Sequence, residues 1–104
     1  MFTAALLDGR SPTIYGDGEQ TRDFTYVSDV AKGILLSLSA PKAPGQAINL
    51  ARGRRTSVNS LYGMLQRSIG VELEPVYKER RTGDIRDSQA DISRARNLLG
   101  FCFF

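Results

Sequence analysis

The sequence predicts an α/β fold on three observations. Three stretches carry apolar residues at helical spacing, short β-type runs lie between them, and glycine or proline stands at most of the joins. The strands are too few for a complete doubly wound sheet. At 104 residues the chain is expected to form one small domain at most, residues 1–104.

Along the chain, Phe2–Leu7 reads as a short helix stopped by Gly9. Thr13–Tyr15 reads as a strand running into Gly16-Asp17-Gly18, where glycine supplies the positive φ of a tight turn. Residues 24–27 alternate as a strand. A helix is expected after Ser28 as N-cap, with Asp29 in the first turn where the helix dipole favours a negative charge. Its apolar residues Val30, Ala31, Ile34, Leu35 and Leu38 are expected to face inward, with Pro41 closing it. Residues 47–50 read as a brief apolar strand.

A second long helix follows Ser57, with Val58, Leu61, Tyr62, Leu65 and Ile69 on one stripe and Gly70 past its end. Residues 71–77 hold room for another strand, which Pro75 pushes toward an edge. The last helix follows Asp91, with Ile92, Ala95, Leu98 and Leu99 inward and Gly100 ending it.

Composition sets limits. No apolar run approaches the roughly 20 residues that cross a bilayer. Residues 1–7 have neither a basic n-region nor a small-residue cleavage site, so no signal peptide is expected. The sequence contains no histidine and a single cysteine, Cys102. That excludes an internal disulfide, a His/Cys zinc site and any Ser-His or Cys-His catalytic pair, and it fits a cytoplasmic protein. The net charge is +3, with basic residues gathered at Arg52, Arg54 and Arg55 and at Lys78, Arg80, Arg81 and Arg86. Such clusters suit nucleic acid, a phosphorylated ligand, or solvent alone.

Two segments are candidates for chemistry. The run Pro12 to Phe24 is a strand, a glycine turn and an extended segment bearing Arg22, whose planar guanidinium suits phosphate oxygens. A surface hairpin with Arg22 paired to Asp17 or Asp23 explains the same residues, and physics alone favours it. Arg80-Arg81-Thr82-Gly83-Asp84 joins two arginines to a glycine that lets an anion approach, with Asp84 free to accept from hydroxyls. A solvated, charge-mixed loop fits it equally.

Taken together, the motifs resemble a known family. Pro12-Thr13-Ile14-Tyr15-Gly16-Asp17-Gly18, Arg22-Asp23-Phe24 and Tyr26 to Ala31 are similar to a run in NAD-dependent epimerase/dehydratases, the extended short-chain dehydrogenases. The resemblance continues, in order, through Ile48-Asn49-Leu50 with Thr56-Ser57-Val58, Arg81-Thr82-Gly83-Asp84-Ile85, and Ala90-Asp91-Ile92-Ser93-Arg94-Ala95 to Leu99-Gly100-Phe101. It implies the C-terminal, substrate-binding part of such a protein, lacking the N-terminal Rossmann domain.

By that resemblance Thr13 and Tyr15 border a nucleotide base, Arg22 and Arg81 hold a diphosphate from two sides, and Asp84 accepts from ribose hydroxyls. Ser28, Asp29, Asn49, Ser57 and Asp91 are read as structural. The implied ligand is a nucleotide-diphosphate sugar. The family's chemistry, epimerisation or dehydration, needs NAD and a Tyr-x-x-x-Lys pair. Here Tyr15, Tyr26, Tyr62 and Tyr77 are followed four residues on by Glu19, Val30, Gln66 and Arg81, and no Gly-x-x-Gly-x-x-Gly run exists. No catalytic, cofactor-binding or metal-binding residue is therefore assigned to this chain, and no cofactor is expected to bind it alone.

Ala51-Arg52 departs from the small, glycine-containing pair usual in the family. The first helix and the apolar Cys102-Phe103-Phe104 end are expected to be truncations of a longer protein. The leading expectation is a nucleotide-sugar-binding fragment of marginal stability that catalyses nothing alone. One alternative is a subunit completed by a separate NAD-binding chain. Another is a small basic nucleic-acid-binding module, which the acidic residues among the arginines argue against.

Overall fold

In a computed structural model of the protein, which describes residues 1–102, helices and short strands alternate. In chain order they are α1 (Phe2–Leu7), β1 (Thr13–Tyr15), β2 (Thr21–Arg22), α2 (Val27–Ser39), β3 (Thr56–Ser57), α3 (Val58–Ile69), β4 (Val76–Lys78) and α4 (Ser93–Leu99). The apolar end at Phe103-Phe104 lies outside the described residues. The chain forms two compact units: Met1–Arg22 with Thr56–Asp87, and residues 23–55 with those from Ser88 onward.

In the first unit β1 and β4 pair in parallel, with Thr13 opposite Val76, Ile14 opposite Tyr77 and Tyr15 opposite Lys78. β2 and β3 form a two-residue antiparallel pair. Ile14 of β1, Leu6 of α1 and Tyr62 of α3 are buried. The Phe2 ring meets Tyr62 edge-on at 5.6 Å, the geometry that aromatic quadrupoles favour. The Tyr62 hydroxyl donates to the Leu73 carbonyl, and burial raises its pKa. β4 starts directly after Pro75, so the residue without an N–H stays outside the ladder, and Val76 N–H donates to the Pro12 carbonyl at 2.8 Å.

The second unit centres on Ala43, Ala51, Ile92, Ala95, Leu99 and Phe101, with Leu36, Ala40, Ile48, Leu50 and Ala90 packed around them. The Asp23 carboxylate ties its loops together, accepting from the backbone N–H of Arg52 (3.1 Å), Gly53 (2.9 Å) and Ala90 (3.2 Å). One acidic side chain thus accepts from three backbone donors, and the Arg52 N–H also donates to the Thr25 hydroxyl at 3.2 Å.

Several sequence expectations hold. Ser57 caps α3, its hydroxyl accepting from Ser60 N–H at 3.0 Å, and Gly70 ends that helix at φ 79°. Gly100 ends α4 at φ 62°. Ala40 is extended ahead of Pro41, as the proline ring requires of its predecessor.

Others are corrected. α2 starts at Val27 and takes Tyr26 as N-cap without a side-chain cap bond, so Ser28 lies within the first turn. Residues 24–27 are accordingly not a strand; the chain enters helix there, and the strand lies earlier, at Thr21–Arg22. Residues 47–50 join no ladder among the described residues; they pack Ile48 and Leu50 onto the core instead. α4 takes Ile92 as N-cap, while the Asp91 carboxylate, held below its usual pKa by Ser93, accepts from Ser93 N–H and Oγ–H.

The stripe on α2 is turned the other way. Ile34, Leu35 and Leu38 are exposed at 54, 67 and 80%, while Gly33 is buried and Leu36 and Ala40 face the core. Helical spacing alone cannot choose between two apolar faces of one helix. Gly33 fixes the choice, because a β-carbon there would stand 2.6 Å from Leu50 Cδ2, and only a residue without one lets the backbone come so close.

The two faces give opposite responses to one chemical change. Leu36→Ala is expected to cost about 1–3 kcal/mol and Leu38→Ala less than about 0.5 kcal/mol, read from thermal or urea unfolding. Equal costs would contradict the orientation of α2.

Candidate functional site

The site is built in the first unit from two facing segments. One is the turn after β1. Gly16 (φ 92°) and Gly18 (φ 77°) take the left-handed conformation that lets the chain reverse, and Gly16 N–H donates to the Lys78 carbonyl at 2.8 Å. The Asp17 carboxylate accepts from Glu19 N–H at 2.9 Å, and Gln20 Nε2 donates to the Tyr15 carbonyl at 2.8 Å.

This turn is seated on the N-terminus of α3. Val58 N–H donates to the Gln20 carbonyl at 3.1 Å and Asn59 N–H to the Gly18 carbonyl at 2.9 Å. The Asn59 side-chain amide donates to the Asp17 carbonyl (3.1 Å) and to Glu19 Oε1 (2.6 Å). Tyr77 of β4 donates its hydroxyl to Asn59 Oδ1 at 2.9 Å.

The facing segment is 80–86. Gly83 (φ 86°) closes a turn in which Asp84 N–H donates to the Arg81 carbonyl at 3.2 Å. The Arg81 guanidinium lies over the Tyr15 ring, 4.6 Å from its centroid, and its Nε stands 3.5 Å from Asp84 Oδ2. Arg80 donates to the Asp84 carbonyl, and Arg86 spans to the first segment, its Nη1 2.8 Å from Asp17 Oδ1. Between the segments lies a cavity of about 230 Å³, lined by Tyr15, Gly16, Asp17 and Gln20 on one side and Arg80, Asp84, Ile85 and Arg86 on the other.

Of the sequence candidates, Tyr15, Arg81 and Asp84 come together. Tyr15 and Asp84 line the cavity, and Arg81 bridges them, with 64% of its side chain exposed. Thr13 opens β1 opposite Val76. Arg22 stands on β2, its Nη1 donating to the carbonyls of Thr21 (2.7 Å) and Arg86 (3.3 Å). The surface hairpin considered above is corrected on one point: the arginine paired with Asp17 is Arg86, while Asp23 accepts from backbone amides. Asn59, Tyr77 and Gln20 were not proposed as site residues by sequence, and Arg86 was noted only as a member of a basic cluster. Asn59 had one available signal, a short polar side chain two residues after the Ser57 cap, where such groups reach back to preceding backbone.

Chemically, the arrangement offers an aromatic face, guanidinium groups able to meet an anion, and carboxylates able to accept from hydroxyls. The same geometry disfavours a dinucleotide pyrophosphate at α3. Its first amides donate to Gln20, Gly18 and the Ser57 hydroxyl, so the donors such a group needs are engaged. The residues present therefore do not fit NAD at this helix. Among the described residues, no helix is long and apolar enough to cross a membrane.

Comparison with known proteins follows these features. Residues 1–51 match the profile of the NAD dependent epimerase/dehydratase family. The UDP-glucose 4-epimerase of Mycolicibacterium smegmatis is 38% identical over 97% of this chain and 32% of its own length. The crystal structure of a UDP-glucose 4-epimerase from Thermotoga maritima, with UDP-glucose, superposes with a TM-score of 0.88 at 40% identity, covering 96% of this chain and 32% of that one. The chain belongs to the NAD-dependent epimerase/dehydratase family. A UDP-glucuronic acid 4-epimerase of Bacillus cereus, in complex with UDP-glucuronic acid and NAD, is 31% identical with a TM-score of 0.88, covering 97% of this chain and 32% of that one. The chain thus spans about a third of the length of these relatives.

The Arg86–Asp17 pair makes the site sensitive to acid. Arg86 holds the Asp17 carboxyl below its usual range, and Asp17 raises Arg86 in return. A lowered folded-state pKa means stabilisation that is full above the unfolded value of about 3.9 and lost as pH falls through the folded value. Asp17→Asn is therefore expected to melt below wild type at pH 7, with the gap closing as pH falls below about 4. A gap constant from pH 7 to pH 2 would contradict the pairing.

Proposed function

We propose that this chain is the nucleotide-sugar-binding, C-terminal part of a UDP-sugar epimerase of this family, and that the cavity beside Tyr15 receives the nucleotide. The observation that carries this reading is the Arg81 guanidinium stacked on Tyr15 with Asp84 at its side, residues from two facing segments converging at one cavity. Tyr15 and the backbone at Thr13 border the base, Asp84 accepts from the ribose, and Arg81 and Arg22 meet the diphosphate. Arg81 exchanges its exposed contact with Asp84 for phosphate oxygens, a stronger charge-assisted partner. The relatives' UDP-sugars support uridine as the nucleoside.

Hydride and proton transfer belong to the family's NAD and to its Tyr-x-x-x-Lys pair, which this sequence does not contain. A second reading, a subunit completed by a separate NAD-binding chain, draws support from the exposed stripe of Ile34, Leu35 and Leu38, an apolar face suited to another protein surface.

Calorimetric titration of UDP and UDP-glucose into the purified chain tests the binding reading. Binding is expected, weakened roughly tenfold by Arg81→Ala, as loss of a charge-assisted contact implies. Equal affinity for wild type and Arg81→Ala would remove Arg81 from the phosphate site. NAD-dependent conversion of UDP-glucose by the chain alone would contradict the non-catalytic assignment.

A further inference from the structure

We infer that Asn59 and Tyr77 are positioning residues for the nucleoside end of the cavity. They act through the 16–18 turn rather than by touching ligand, and the inference rests on the nucleotide-binding reading above. Asn59 is the point where three segments meet. Its main-chain N–H and side-chain amide together hold Gly18 and Asp17 by their carbonyls and Glu19 by its carboxylate. Its Oδ1 is in turn held by the Tyr77 hydroxyl from β4.

Tyr77 lies opposite Ile14, one residue before Tyr15. The network therefore runs from the sheet, through α3, to the turn that forms one wall of the cavity. From there it crosses to the other wall through the Asp17–Arg86 pair. Gly18 shows how closely this fit is made. A β-carbon at that position would stand 2.0 Å from Asn59 Oδ1, so turn and side chain occupy adjoining space with nothing between them.

The alternative is that these bonds merely stabilise the unit. The two roles separate by ligand. A residue that shapes the nucleoside end alters affinity for UDP but not for inorganic pyrophosphate, which needs only the arginines. A purely stabilising residue lowers the melting temperature and leaves the ratio of the two affinities unchanged.

Titrations of UDP and of pyrophosphate into wild type, Tyr77→Phe, Asn59→Ala and Arg81→Ala make the distinction. Tyr77→Phe removes one hydroxyl and is the milder variant should Asn59→Ala fold poorly. It is expected to weaken UDP roughly 3- to 10-fold, with pyrophosphate changed less than about 2-fold. Arg81→Ala weakens both ligands.

Amide hydrogen exchange supplies a readout that needs no ligand. Tyr77→Phe is expected to speed exchange at the Glu19 and Val58 amides, which close the turn, and to leave the Gly70 amide at the far end of α3 unchanged. If wild type binds UDP and Arg81→Ala weakens it while both network variants keep the wild-type UDP-to-pyrophosphate ratio, the positioning role is overturned and nucleotide binding stands. If wild type binds no UDP, the nucleotide reading falls and the positioning role with it. Unchanged Glu19 exchange in Tyr77→Phe overturns the positioning role whatever the titrations give.

Discussion

The 16–18 turn is held against the first turn of α3 by backbone and side-chain hydrogen bonds. The Asn59 amide donates to Gly18 within it and the Val58 amide to Gln20 just beyond it, and the Asn59 side chain fills the space beside Gly18 to within 2.0 Å of where a β-carbon would be. Helix N-termini carry unsatisfied donors, and an irregular loop carries unsatisfied carbonyls. Here each meets the other's need. The result is a rigid loop without secondary structure of its own, which brings Tyr15, Asp17 and Gln20 to face the 80–86 segment. Loss of that seat would leave Arg81 without a fixed aromatic surface and Arg86 without its anion.

The facing segment is looser. Arg81 and Arg86 are held by the Asp84 and Asp17 carboxylates through exposed ion pairs, which are individually weak and screened by salt, and Arg80 by the Asp84 carbonyl. Such contacts are easily exchanged for a phosphate, and this suits a ligand site better than a structural one. One wall is fixed and the other is adaptable, a division that on the proposed reading would pre-organise the nucleoside end and leave the charged end to adjust. In the second unit, by contrast, the polar anchor is the Asp23 carboxylate with its three backbone donors, and no side chain proposed to meet ligand takes part.

Much of this was legible in the residues. Local chemistry decided the reliable elements: Ser57 as cap, Gly70 and Gly100 as left-handed stops, Pro41 as terminator, and the glycines of the 16–18 turn. The caps of α2 and α4 fell one or two residues from the expected ones, and the larger failures depended on neighbours distant in sequence. The inward face of α2 was assigned from apolar spacing, which serves either face, whereas Gly33 and its contact with Leu50 decide the matter. Residues 47–50 have strand-like composition but no partner among the described residues. At the site, Tyr15, Arg81 and Asp84 were named from ordered motifs and the structure brings them together, while Arg22 hydrogen-bonds carbonyls on and beside its own strand. Asn59 and Tyr77 were missed because they lie 40 or more residues from the 16–18 turn they hold, on elements whose packing no local pattern specifies.

On the proposed reading, the cavity between the 16–18 turn and the 80–86 segment receives a uridine nucleotide. Mapping of backbone amide shifts by NMR as UDP is added to the isotope-labelled chain tests it most directly. Saturable shifts are expected at Tyr15, Gly16, Asp17 and Gln20 and at Arg81, Asp84 and Arg86, with α4 and the Asp23 anchor unmoved. Shifts centred on Arg52, Arg54 and Arg55, or none at millimolar UDP, would contradict it.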